Sequence, residues 1–364
     1  MVLTRRQLNR ALLARQHLLE RADMPAGEMI AHLVGMQSQA PNDPYIGLWT
    51  RLASFQPDDL SRMMLDRTAL RASLMRGTIH LVTVDDYLRL FPVMFSLHQR
   101  VYPATDSGKR LDPARIPEVI SAGRDLLRES PMTIKELGDR LRERWPDQDV
   151  RAMAQAIRFL LPLVQTTPRG VWGASQQATW ALAEDWLGTP VPAQGDPEPI
   201  IRRYLAAFGP ATVADMQAWS GLTGLRAVVE RMRPELRVFR NERGQELFDV
   251  PGAPLPDPET PAPVRFLPGF ENALLSHKDR TRIISEERRK VIGSRNGLFD
   301  ATYLVDGFVA GTWSVDVSKE TATVTIRPFE PHLPDILDAL EDEAYGLLLL
   351  LGEGRHRNVR FDVA

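Results

Sequence analysis

Two eleven-residue stretches lying 79 residues apart, PMTIKELGDRL from Pro131 and PATVADMQAWS from Pro210, share the pattern Pro-x-Thr-(Ile/Val)-x-(Asp/Glu)-(Leu/Met). In each, a threonine (Thr133, Thr212) stands three residues before an acid (Glu136, Asp215). At that spacing the two side chains satisfy each other's free backbone N–H groups and start a helix. Apolar residues at helical spacing follow over residues 151–161 and 224–232. Short alternating stretches then turn at Arg169-Gly170 and at Arg243-Gly244. A capped helix, a second helix and a two-stranded wing predict a winged helix, twice.

The N-terminal segment reads as a third copy. Thr4 with Gln7 makes a capping box, Leu3 with Leu8 a hydrophobic staple, and ALRASLMRGTIHLVT alternates apolar residues around Arg76-Gly77. Proline-rich linkers at residues 190–199 and 251–263 block both helix and central strand. The expected division is winged helix 1 over 1–102, winged helix 2 over 103–190, winged helix 3 with its linker over 191–263, and a β-rich region over 264–364. In the last, LVDGFVAGTW turns at Asp306-Gly307, TATVTIRPF alternates, and a helix over Pro334–Leu351 is expected to pack on the sheet. The fold class is α+β.

The absence of cysteine excludes disulfides, thiolate nucleophiles, cysteine-ligated zinc and iron–sulfur clusters. No Gly-x-x-x-x-Gly-Lys, His-Glu-x-x-His or Gly-x-Ser-x-Gly motif occurs, and the seven histidines show no ligand spacing, so neither a cofactor nor a metal is expected. No run of apolar residues is long enough for a membrane span. The opening residues carry charge throughout, unlike a signal peptide, so a cytoplasmic monomer is expected. The net charge is only −2, but the signs are separated. Between Ser276 and Arg295 seven cations face three carboxylates, and from Glu330 to Glu343 acids occur without any lysine or arginine. Such a chain can bind a polyanion on one face.

GMQSQAP (from Gly35), LMRGTIHLV (from Leu74), FLPGFENALLSHKDRTR (from Phe266) and LVDGFVAGTW (from Leu304) run in register across nearly the whole chain. Together they resemble the AlkZ/YcaQ family of winged-helix DNA glycosylases, in the branch with a Gln-x-Gln rather than a Gln-x-Asp motif. The resemblance implies three tandem winged helices in a C-shaped scaffold. It also implies cleavage of the N-glycosidic bond of N7-alkylated purines, including the unhooking of bulky interstrand crosslinks of the azinomycin type, an antibiotic self-resistance activity. The partner would be double-stranded DNA carrying such a lesion. The family's catalytic glutamines fall on Gln37 and Gln39; between them Ser38 departs from the usual aliphatic residue.

Two neutral amides suit that chemistry. An N7-alkylguanine is already cationic and leaves without protonation, so the task is to place a water and stabilise an oxocarbenium-like sugar. Side chains two apart share a face on extended backbone but diverge by about 200° on a helix. The pair therefore requires the chain to leave helix near Gly35 or Met36; the alternative is that both merely finish a helix over residues 27–34.

Asp43, Glu271 and Asp279 are candidate carboxylate helpers or, equally, turn caps and arginine partners. Arg76, His80, Arg169, Arg243, His277, Lys278, Arg280 and Arg282 are the candidate DNA-binding residues. A hairpin at Asp306-Gly307, or a turn within residues 285–298, is a candidate minor-groove probe. No lysine stands out as a Schiff-base nucleophile, which favours a monofunctional hydrolase. The competing function is a winged-helix transcriptional regulator without enzymatic activity.

Overall fold

The computed structural model describes residues 1–292, 300–352 and 354–362. All three predicted capping boxes form. Thr4, Thr133 and Thr212 accept from the backbone N–H of Gln7, Glu136 and Asp215, whose side chains return the bond, starting helices Arg5–Arg15, Ile134–Arg144 and Val213–Ser220. The expected second helices occupy Val150–Leu160 and Leu225–Met232. Among the described residues helices are mixed with three sheets, as expected for the α+β class.

The sheets cut across the sequence. The first two segments share one six-stranded sheet in the order Met36–Gln37, Ile79–Thr83, Ala69–Ser73, Leu163–Gln165, Thr179–Leu182, Met132–Thr133. Their seam pairs Arg71 with Gln165 and Ala72 with Val164. The N-terminal strand Val2–Leu3 leaves the first segment and runs parallel to Arg237–Asn241, itself antiparallel to Glu246–Asp249 in the third. Arg15 secures this exchange through a fully buried pair with Asp249 at 2.6 and 3.0 Å. The first residues thus belong in space with the third segment, a partner choice that local pattern does not encode.

A separate core forms around Val119, Leu137, Met153, Ile157 and Trp180, joined by Tyr102, Leu111 and by Ile79 of the first segment. A second core is continuous through Leu12, Tyr87, Leu97, Tyr204, Phe208, Trp219, Leu274 and Leu304, joining the first, third and C-terminal segments. The C-terminal sheet runs in the order Arg265–Leu267, Thr302–Val305, Phe308–Val317, Thr321–Pro328, His356–Phe361. Helix Pro334–Leu351 buries Leu340, Ala344, Leu347 and Leu348 against Phe266, Tyr303, Trp313, Val324 and Ile326. This places the loop of residues 268–285, which leaves the first strand of that sheet, between the first and third segments.

Candidate active site

Helix Ala26–His32 stops because Val34 and Gly35 take positive φ values of 56° and 90°. Gly35 is required there: a β-carbon would sit 2.6 Å from Val82 Cγ1. The chain then runs extended, with Gln37 paired to His80 and the Ser38 N–H donating to Ile79 O at 2.8 Å. The glutamines therefore lie beyond the helix, and the last turn is closed by backbone bonds from Val34 and Gly35 to Ala31 and Ile30 rather than by their amides.

Ser38 follows Met36 and Gln37 as a third consecutive buried residue. It is fully buried, its Oγ accepts from Arg71 Nε at 2.9 Å and its carbonyl from Arg71 Nη2 at 2.6 Å. The serine at the middle position is thus the acceptor for a buried guanidinium, a role an aliphatic side chain cannot fill. Gln37 is 7% exposed and Gln39 faces solvent.

Gln37 lines a small cleft with Gly35, Asp43, Arg51, Glu271 and Asn272, whose free volume of about 10 Å³ is room for roughly one water molecule. Arg76 Nη2 donates to Gln37 Oε1 at 2.7 Å and to Asn272 Oδ1 at 3.3 Å, while its Nη1 donates to Trp219 O at 2.6 Å. Burial, with Arg280 nearby, lowers this guanidinium to about 10, which leaves it charged at neutral pH. Asn272 Nδ2 donates to Gly35 O at 3.2 Å, docking the 268–272 loop on the glutamine strand.

Glu271 does both of the ordinary things expected of it. It caps helix Asn272–Leu275 through the Ala273 N–H at 2.9 Å and pairs with Arg51 at 2.8 and 3.3 Å, both side chains being buried. Asp279 likewise accepts from Thr281 and pairs at 2.9 Å with Arg243, not with its flanking cations. Asp43 differs. Its Oδ2 is buried without a hydrogen-bond partner, and desolvation, reinforced by Glu271 and only partly offset by the Ala40 backbone and Arg71, raises its carboxyl to about 7.

The candidate DNA-binding residues separate into two groups. Lys278 and Arg243 are exposed and line one shallow depression with Arg5, Asn241 and Gln245. Arg280 and Arg169 are half-buried, Arg169 donating to Gln176 O at 2.9 Å. His80, His277 and Arg282 are corrected: they are 0%, 1% and 5% exposed and cannot reach a phosphate. His80 Nδ1 meets Thr78 O at 3.0 Å, His277 Nε2 meets Phe208 O at 3.0 Å, and Arg282 Nη1 donates to Pro210 O at 3.0 Å. Arg76 is likewise committed to Gln37, Asn272 and Trp219 rather than to solvent.

The Asp306-Gly307 turn is also corrected as a groove probe. Asp306 pairs with Arg6 at 2.7 Å and with the fully buried Arg10, and Gly307 O accepts from Asn9 Nδ2 at 2.7 Å, so the turn is docked on helix Arg5–Arg15. Of the other candidate, within 285–298, residues 293–298 lie outside the described residues.

Arg51, Arg71 and Asn272 were not singled out from sequence. Their role depends on burial against distant segments, and the one local signal was that Asn272 sits inside the quoted FENALL stretch.

The chain belongs to the AlkZ-like DNA glycosylase family, whose model matches residues 30–349. It is similar to the interstrand DNA cross-link repair glycosylase of Streptomyces sahachiroi, with 25% identity over 354 residues, covering 91% of this chain and 92% of that protein. The solved structure of the Streptomyces sahachiroi DNA glycosylase AlkZ matches the fold with a TM-score of 0.81, covering 100% of both chains at 22% identity. Among the described residues no helix is long and apolar enough to cross a membrane, and no group of three or more His, Cys, Asp or Glu could hold a metal ion.

Proposed function

We propose that this chain hydrolyses the N-glycosidic bond of cationic N7-alkylpurines in duplex DNA, crosslinked lesions included, with Gln37 and Gln39 positioning the attacking water. The carrying observation is a glutamine amide held on extended backbone, its oxygen fixed by Arg76 at 2.7 Å, in a cleft with room for roughly one water. An amide oxygen retains a second lone pair when one is engaged by Arg76. That lone pair can hold a water and turn a negative dipole toward the sugar as positive charge develops there.

The cleft is too small for a purine, which supports attack on a nucleotide that stays in an open groove rather than one swung into a closed pocket. A base tied to both strands requires such an arrangement. Among the described residues no lysine lines the cleft, which supports hydrolysis by water without a Schiff base. Lys278 and Arg243, which are exposed, and the half-buried Arg280 and Arg169 are the cations proposed to hold phosphates.

The test is a duplex with a single N7-methylguanine, followed by alkaline cleavage of the abasic product. Gln37→Ala and Gln39→Ala should each lower the single-turnover rate by about 10²-fold, the scale on which catalytic placement is lost, with duplex affinity nearly kept. Rates within a few-fold of the parent would exclude the assignment.

A further inference from the structure

Asp43 opens helix Asp43–Trp49 and shares the cleft with Gln37 and Asn272. An acid with a purely structural role at that position would be expected to have its oxygens satisfied by backbone N–H groups and its charge favoured. Asp43 departs from this: it has the Ala40 backbone as a partner, but its Oδ2 is buried with no hydrogen-bond partner and its carboxyl is driven toward the neutral form. The surrounding charges do not explain it as an ion-pair member. Glu271 is already engaged by Arg51, and the Arg71 guanidinium donates to Ser38, while Arg76 donates to neutral acceptors only. A buried carboxylate oxygen without a partner, lining a space the size of one water beside a fixed amide, is an unfilled acceptor site.

We infer that Asp43 is a third catalytic group, the general base that takes the proton of the water held by Gln37. This rests on the glycosylase reading above. In the step, the C1′–N9 bond breaks with its electron pair going to the purine, which neutralises the N7-alkylated cation and releases a neutral base. The water oxygen bonds to C1′, and its proton passes to the ionised Asp43 carboxylate, leaving a hemiacetal abasic site. The cationic lesion itself favours the ionised form of a nearby acid. The catalyst is therefore completed by the substrate, and an unalkylated, neutral purine brings no such charge.

The experiment is the pH profile of kcat/KM for N7-methylguanine release between pH 5 and 9, for the parent and for Asp43→Asn, with spontaneous depurination subtracted. For the parent, kcat/KM should fall about tenfold per pH unit below about 7 and level off above it. Asp43→Asn should lose about 10²-fold or more at pH 8 and show no bend near 7, with melting temperature and duplex affinity like the parent's. Activity within a few-fold and an unchanged bend in the variant would overturn the role of Asp43 while leaving the glycosylase reading intact. No release by a folded parent protein would overturn both. If the variant does not fold, the parent's profile decides, and a flat profile between about pH 6 and 8 rejects the proposal.

Discussion

Arg76 and Gln37 are joined by a 2.7 Å hydrogen bond from Nη2 to Oε1, and the same nitrogen reaches Asn272 Oδ1 at 3.3 Å. The orientation of one glutamine is thereby set by a side chain from the Met75–Gly77 turn. Arg76 is a positioning residue, and its planar fork serves three acceptors at once, which an ammonium on a flexible stem does not reproduce. Arg76→Lys should lower single-turnover excision by about 10²-fold, with duplex affinity changing far less. Equal losses in rate and affinity would instead mark Arg76 as a DNA ligand.

Arg51 and Glu271 form a buried pair that anchors the loop carrying Asn272, with Arg51 also donating to Gln16 Oε1 at 3.1 Å and Gly47 O at 2.9 Å. Arg51→Met leaves Glu271 uncompensated in the interior, which should cost about 3–5 kcal/mol in urea unfolding. The double variant Arg51→Met, Glu271→Gln should recover a large part of that loss, because the stranded charge is gone. A double variant no better than the single would show that the hydrogen bonds, not the charge, dominate.

The Asp306 turn faces helix Arg5–Arg15 rather than a groove. Asp306→Ala should destabilise the fold by about 1–3 kcal/mol, since the buried Arg10 loses its carboxylate and its Nη2 is left unpaired, while Thr260 O, Asn9 Oδ1 and the residue 306 carbonyl remain. Duplex affinity measured at fixed salt should stay within about twofold, well under the 1–3 kcal/mol expected of a residue reading the duplex.

Three buried histidines set the acid response. Burial lowers His80 to about 3 and His98 to about 4, and lowers His277 as well, with Arg282 adding to the shift and Asp215 opposing it. Each is neutral in the fold and binds its proton only on unfolding, so between their ordinary value near 6.5 and pH 4 the unfolded chain holds more protons. Stability should therefore fall as pH falls through that window. Asp43, whose folded form keeps a proton up to about 7, and Glu343, raised by burial, work in the opposite direction, but burial also lowers His17 and His332, so five histidines stand against two carboxyls. Melting temperatures at pH 7, 6 and 5 check the sign, and a rise on acidification would contradict it.

Much of the fold was readable because its signals are local. A threonine three residues before an acid or a glutamine can start a helix by reciprocal capping, and Thr4 with Gln7, Thr133 with Glu136 and Thr212 with Asp215 each do so. An amphipathic pattern ending at Gly352 yields helix Pro334–Leu351. The expected break from helix before Gln37 is present, while the two amides differ in place, Gln37 lining the cleft and Gln39 exposed outside its lining.

Strand partners are chosen by distant chain, and here local reading stopped. Nothing near Val2 specifies a strand 238 residues on, and nothing near Ala69 specifies the seam to Leu163–Gln165. The same holds for charge. A sequence rich in basic residues around His277 invites a surface reading, yet folding buried His277 and Arg282 and left Lys278 exposed, because consecutive side chains point in different directions.

The sequence by itself determined the capped helices, the turns and the amides of the Gln-x-Gln motif, since these depend on neighbours a few residues away. Tertiary structure alone decided that Arg76 would hold Gln37, that Arg51 would neutralise Glu271 and that Asp43 would be left with a buried, unpartnered oxygen. Each of those outcomes depends on which remote groups exclude water from the site, and burial is a property of the assembled fold that no local pattern contains.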